Sequence, residues 1–132
     1  MVNGGEYLEV NLNSFEFSDN EPIYLQIVEL IKRAIALGEV SQDDKLPSIR
    51  EMSSLLAVNP NTMQRAYSEL ERLGITYTKR GMGSFISKGK KDSKELKKSM
   101  GVDISKKFLS DMKDIGIAKE EALEIVKDIN DY

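Results

Sequence analysis

Leu46-Pro47-Ser48-Ile49-Arg50-Glu51-Met52-Ser53-Ser54-Leu55-Leu56-Ala57-Val58-Asn59-Pro60-Asn61-Thr62-Met63-Gln64-Arg65-Ala66-Tyr67 is the stretch that decides the fold. Ser48 and Glu51 stand three apart. At that spacing a serine hydroxyl caps a helical N–H while the glutamate reaches back to the serine N–H. A second helix start follows closely: Asn59 suits an N-cap, Pro60 the first helical position, and Val58 and Met63 the two sides of a hydrophobic staple. The helix opened at Ser48 must therefore end by Leu56 or Ala57, with Ile49, Met52, Leu55 and Leu56 as its buried side. Two short helices about three residues apart are the outline of a helix-turn-helix.

The helix that begins at Pro60 separates into two faces. Met63, Ala66, Tyr67, Leu70 and Leu73 recur at core spacing, and Asn61, Gln64, Arg65 and Ser68 lie on the other side. This polar face sits at the N-terminal end, where the helix dipole and free N–H groups favour an anion. Asn, Gln and Arg are also the side chains that make paired hydrogen bonds to base edges. A face that meets only water more often carries Glu and Lys, but on these residues alone both readings stay open.

Upstream, Pro22 opens a first helix in which Ile23, Ile27, Leu30, Ile31 and Ala34 repeat at helical spacing up to Gly38. Tyr24, Val28 and Ile35 form a second apolar flank, so this helix should touch more than one neighbour. Before it, residues 1–20 read as a frayed start and an extended arm, and Ser41 to Lys45 read as a polar turn. Downstream of Gly74, Ile75–Thr78 and Ser84–Ser87 read as the strands of a hairpin whose tip, Lys79 to Gly83, is basic and glycine-rich. The two glycines suit a tight turn, and they equally allow close approach to a phosphate chain or a minor groove.

Beyond a charged linker, Lys88 to Asp92, the residues Leu96, Met100, Ile104, Phe108, Met112 and Ile115 recur at roughly helical spacing, with Gly101 and Val102 as a candidate kink. Gly116 ends that helix, and Ala122, Ile125, Val126 and Ile129 define a last one to about Asn130. A helical pair of this size cannot bury its apolar side alone and needs its own winged domain or a second chain. The expected fold is thus mainly α with a small β-hairpin. It comprises an arm at 1–20, a winged helix-turn-helix at 21–88 and a two-helix hairpin at 89–132.

Composition narrows the chemistry. The 132 residues include no Cys and no His, which excludes disulfides, thiolate nucleophiles and imidazole bases, and leaves only carboxylates to build a zinc site, while the tail shows no metal-ligand spacing. Carboxylates such as Asp43, Asp44, Glu120 and Glu121 fall at turns and helix starts, where capping and solvation explain them, so an enzyme is not expected. No apolar run reaches the roughly 18 residues needed to cross a bilayer, and no secretory leader opens the chain, so the expected location is the cytosol. The net charge of -3 argues weakly against nucleic acid. Locally the balance reverses: residues 59–90 carry six bases and two acids.

Four ordered motifs, Pro22-Ile23-Tyr24-Leu25-Gln26-Ile27, Leu46-Pro47-Ser48-Ile49-Arg50-Glu51, Asn59 to Tyr67, and Arg80-Gly81-Met82-Gly83-Ser84-Phe85, resemble the DNA-binding domain of the GntR family of bacterial transcription regulators. The short tail is similar to that of the YtrA-like subfamily. The resemblance implies a homodimer on an inverted-repeat operator, with the third helix in the major groove and the wing along the adjacent minor groove. By motif position it assigns DNA contacts to Arg50, to Asn61, Thr62, Gln64 and Arg65, and to Arg80, Gly81 and Gly83. It also implies that Ala66 and Tyr67 pack inward.

From side-chain chemistry, Gln64 and Arg65 are expected to read bases, while Arg50, Thr62, Lys79 and Arg80 hold phosphates. Ser48 and Asn59, chiefly caps, stand where a phosphate approaches a helix start. Leftover apolar side chains on the tail (Ile104, Phe108, Met112, Ile115, Ile125 and Ile129) favour a dimer seam. The expected function is a sequence-specific regulator, a repressor in its simplest form, with double-stranded DNA and a second copy as partners, no cofactor and no membrane. The competing reading is a winged helix used as a protein–protein interaction module without DNA binding. The sequence identifies no small-molecule effector.

Overall fold

The structure is a computed structural model in which residues 15–87 and 93–131 are described. The arm up to residue 14 and the linker Lys88 to Asp92 lie outside the described residues. The chain divides into two compact units, residues 1–97 and 98–132.

In the first unit three helices, α1 (Ile23–Ala36), α2 (Ile49–Leu56) and α3 (Pro60–Arg72), precede an antiparallel hairpin of β1 (Thr76–Lys79) and β2 (Gly83–Ile86). Both expected helix starts form as read. The Glu51 N–H donates to Ser48 Oγ at 3.1 Å and the Ser48 N–H to Glu51 Oε1 at 3.3 Å, closing the capping box. Asn59 Oδ1 accepts from the Asn61 N–H at 2.8 Å, with Pro60 at the first helical position. Between the helices the chain turns through Ala57, a left-handed residue at φ 53° and ψ 47°, whose conformation ends α2 and frees Asn59 to begin α3.

The core joins Ile27, Val28, Ile31, Ala34 and Ile35 of α1 to Met52 and Leu56 of α2 and to Met63, Ala66, Tyr67 and Leu70 of α3. Each fully buried aliphatic side chain contributes about 1.5–3 kcal/mol. The second apolar flank of α1 is used, since Val28 and Ile35 are buried beside Ile27 and Ile31. Tyr24, Leu30, Ile49 and Leu55 are only half-buried, and two expected core positions are exposed. Ile23 and Leu73 are each 43% exposed, because they sit at helix ends, past the last turn that has a neighbour to cover it. Gln26, a polar residue near the start of α1, is also buried. Its Oε1 accepts from the Ser18 N–H and its Nε2 donates to the carbonyls of Ser18 and Glu21, each at 2.8 Å, clamping the segment before α1 to the helix.

The hairpin pairs Thr76 with Ile86, Tyr77 with Phe85, Thr78 with Ser84 and Lys79 with Gly83. Relative to the expected limits, β1 begins and ends one residue later and β2 one residue earlier, although a further bond from the Ser87 N–H to the Ile75 carbonyl prolongs the ladder. The polar turn at Ser41 to Lys45 does more than turn. Asp44, Lys45 and Leu46 pair with β2 through the bonds Leu46 N–H to Ser84 O and Ile86 N–H to Asp44 O, both 2.9 Å, so the wing has a third strand-like edge.

In the second unit, α4 (Ser93–Asp114), which begins in the first unit, and α5 (Lys119–Asp128) form the expected helices. Helix α4 runs through Gly101 and Val102 without interruption, with Ser105 Oγ donating to the Gly101 carbonyl at 2.7 Å. It stops at Asp114, just before Gly116, whose φ of +84° only glycine adopts easily, and α5 stops two residues short of Asn130. Among the described residues no helix is long and apolar enough to cross a membrane.

Candidate nucleic-acid interface

The candidate face begins at the two helix starts. The capping box at Ser48 fixes the first turn of α2 and leaves Arg50 exposed. The Asn59 cap does the same for α3, where Asn61, Gln64, Arg65 and Ser68 are exposed, Thr62 is half-buried, and Met63, Ala66 and Tyr67 point into the core. Both caps spend a side-chain acceptor on their own helix. Ser48 keeps its hydroxyl proton and the Asn59 amide keeps its N–H groups for an outside acceptor.

Tyr67 ties the two helices together, its buried hydroxyl donating to the Pro47 carbonyl at 2.5 Å. Burial, with the Glu51 carboxylate adding to it, pushes the Tyr67 hydroxyl pKa well above the usual tyrosine range. The entry to α2 is thereby fixed against α3.

Between the start of α2, the exposed flank of α3 and the hairpin lies an open slot of about 290 Å³, bordered by Ser48, Gln64, Ser68, Glu71, Thr78, Gly83 and Ser84 among others. Gln64 Nε2 donates to Ser68 Oγ at 3.2 Å along this edge. A second hollow is lined by Arg50, Ser53, Ser54 and Pro60; the Ser53 Oγ itself is buried and has no hydrogen-bond partner among the described residues. The sequence-derived candidates thus fall into neighbouring groups: Ser48, Gln64 and Gly83 share the slot, while Arg50 borders the second hollow.

Arg65 takes a different direction from Gln64. Its guanidinium lies 3.9 Å from the centre of the Tyr24 ring on α1, a cation–π stack. Close by, Arg72 hydrogen-bonds Glu69 and holds that carboxyl below its ordinary pKa. Tyr24 is therefore part of the same surface, a role its place on the apolar flank of α1 did not reveal. Ser68 and Thr78 join the face as well. Ser68 was legible on the polar side of its helix, whereas Thr78 needed the register of the hairpin.

At the wing, Arg80, Gly81 and Met82 form the exposed tip, with Gly81 at φ +79° and Gly83 at φ +113°. On one side of the hairpin Tyr77 and Phe85 stack with ring centres 5.6 Å apart, and Lys79 Nζ lies 5.0 Å from the Phe85 ring. Tyr77 donates its hydroxyl to Asp43 Oδ1 at 2.8 Å, a bond to a carboxylate that raises the Tyr77 pKa. Among the described residues no cluster of acids could hold a metal ion.

A family model described as bacterial regulatory proteins, gntR family, matches residues 23–86, the stretch that carries this face. The chain is 46% identical over 112 residues to the uncharacterized HTH-type transcriptional regulator YhcF of Bacillus subtilis, covering 85% of this chain and 93% of that one. It is 39% identical to the HTH-type transcriptional repressor YtrA of the same organism, over 83% of this chain and 85% of that one. A GntR family transcriptional regulator from Listeria monocytogenes superposes with a TM-score of 0.75 at 40% identity, over 86% of this chain and all of that one. The DNA-binding domain of AraR, solved in complex with operator ORX1, aligns with 56% of this chain and 90% of that one at a TM-score of 0.50 and 28% identity. Similarity that runs through the helices, the wing and most of the tail leaves one assignment: the chain belongs to the GntR family of bacterial transcription regulators, with a winged helix-turn-helix as its DNA-binding part.

Proposed function

We propose that this regulator is a repressor that binds an inverted-repeat operator as a homodimer. The observation that carries the reading is that the hydrogen-bonding face of α3 is exposed and opens on the slot it shares with the wing. A duplex that receives α3 in its major groove and the wing along the adjacent minor groove brings the intervening sugar-phosphate strand to that slot. Gln64 and Arg65 read bases. Arg50, Asn61, Thr62, Lys79 and Arg80 supply phosphate and further contacts, and Ser48 and Asn59 present helix starts to the backbone. Gly81 and Gly83 let the wing tip approach closely.

One winged helix with a handful of phosphate contacts binds weakly at cellular salt, and joining two half-sites multiplies the affinity. The tail supplies apolar surface for that joining. Ile104, Ile115, Ile125 and Ile129 are exposed in the single chain, and Phe108 and Met112 are half-buried. A seam between two copies removes this surface from water. Repression follows if the bound dimer covers promoter DNA, and the name of the similar YtrA repressor agrees with that sign.

The test is a gel-shift titration of the full chain on DNA upstream of its own gene across a salt series, with light scattering for mass. Salt-sensitive binding by a species of twice the chain mass, protecting two symmetric half-sites, is expected. A monomer, or binding without sequence preference, overturns the proposal.

A further inference from the structure

The pairing of the Asp43–Leu46 segment with β2 brings to the wing a cation that the hairpin alone lacks. Lys45 stands directly opposite Phe85 in an antiparallel bridge. On β2's other side Phe85 is opposite Tyr77, and Gly83 is opposite Lys79. Opposed residues in an antiparallel pair share a face, as do residues two apart on a strand. Lys45, Lys79, Tyr77 and Phe85 therefore lie on one face of a three-stranded wing. The glycine at 83 leaves room for this: a β-carbon built there would stand 3.1 Å from Lys45 Cε and 3.9 Å from its Nζ. The lysine stem thus passes close beside Gly83, where a β-carbon would press on it.

The acids nearest in sequence are already engaged. Asp43 accepts the Tyr77 hydroxyl, and Asp44 Oδ2 accepts the Ser41 N–H at 2.8 Å. Among the described residues none of Lys45, Lys79 and Arg80 is in an ion pair, although five other pairs form elsewhere on the chain. Two exposed ammonium groups flanking Gly83, with a guanidinium at the tip, form a cationic edge that no acid among the described residues pairs with.

We propose that Lys45 is a third wing cation, which contacts a phosphate of the DNA backbone beside those held by Lys79 and Arg80. The aromatic pair Tyr77–Phe85 serves as the platform that separates the lysines. This inference rests on the DNA-binding reading of the wing, and the experiment separates the two.

Full-length wild type, Lys45→Gln and Lys45→Arg are titrated by fluorescence anisotropy with two probes across a salt series. One probe is a duplex selected from a random library by the wild type, the other a random-sequence duplex of equal length. Loss of one phosphate contact lowers the slope of log K against log salt by about 0.9 per bound protomer. Lys45→Gln is expected to show that fall and a several-fold loss of affinity on both probes, with the ratio between them unchanged, and Lys45→Arg to keep the wild-type slope. In parallel, saturating duplex is expected to slow acetylation of Lys45 in the wild type, read by mass spectrometry against Lys32 on α1. That second measurement needs no variant to fold. An unchanged slope with unprotected Lys45 in a wild type that binds DNA overturns the assignment. A wild type with no salt-dependent binding to either probe overturns instead the reading on which it rests.

Discussion

The guanidinium of Arg65 lies 3.9 Å from the centre of the Tyr24 ring, joining α3 to the opening turn of α1. An arginine held this way has given up part of its rotamer freedom before any ligand arrives, so less is lost in the DNA contact proposed for it. Arg65→Ala is expected to cost about 1–3 kcal/mol of operator binding and to relax preference at one base pair per half-site. Tyr24→Ala should weaken binding by no more than about 1 kcal/mol, because it removes the support and leaves the contact. Competition titrations against single-base operator variants check both. An Arg65→Ala protein with full selectivity would remove the base-reading assignment.

Gln64 faces the slot where Arg65 does not. Gln64→Ala should therefore lose discrimination at a different base pair from Arg65→Ala, and its effect should appear in the selectivity ratio with the salt slope intact. Binding selections with the two variants, compared base by base, separate these positions. Identical altered preferences would show that the two side chains do not read independently.

Tyr67 makes stability depend on alkaline pH. Its folded pKa is raised from the ordinary value of 10.0, so its contribution is fully present below about pH 10. It declines above that, where the unfolded chain ionises and the folded one does not, by about 1.4 kcal/mol per pH unit while the folded hydroxyl keeps its proton. Urea denaturation at pH 9 to 11 should show a steeper loss in wild type than in Tyr67→Phe. The variant itself should be about 1–3 kcal/mol less stable at neutral pH, since the Pro47 carbonyl loses its buried donor. Parallel pH profiles for the two proteins would contradict the buried-hydroxyl explanation.

Exposed isoleucines on the tail give the proposed dimer a direct test. Ile104 and Ile115 are 56% and 73% exposed in the single chain, so the double variant Ile104→Glu with Ile115→Glu should leave each chain folded. The expected result is a monomer by light scattering and operator binding weaker by about a hundredfold or more. Phe108→Glu and Met112→Glu should act in the same direction with some loss of stability, because both side chains are already half covered. An unchanged mass would place the seam elsewhere.

The helix starts were legible because their signals are local. A serine three residues before a glutamate, or an asparagine before a proline, specifies a cap whatever surrounds it. The two faces of α3 were equally readable from spacing, and Met63, Ala66, Tyr67 and Leu70 are buried as that spacing requires. What sequence could not convey is contact between segments far apart in the chain. Lys45 and Asp43 sit in a run with no strand-like alternation, so nothing local announces that β2 recruits them as an edge. Tyr24 reads as one more apolar residue on its helix until α3 is packed beside it. Gln26 was hidden in the same way, since its three partners belong to a segment with no regular structure. Ile23 and Leu73 failed for the opposite reason: spacing extends a stripe to the ends of a helix, whereas coverage stops where the neighbouring element stops.

Only Ala57, Val58 and Asn59 separate α2 from α3, and Ala57 holds the left-handed conformation that makes so brief a connection possible. A link this short behaves as a fixed elbow, with no spare length to absorb a change of angle. An extra residue inserted there would change the angle at which α3 leaves α2, and with it the placement of the exposed face of α3. On the proposed DNA-binding reading, side chains on this rigid frame can be exchanged one at a time, whereas a change in the frame displaces all of them together.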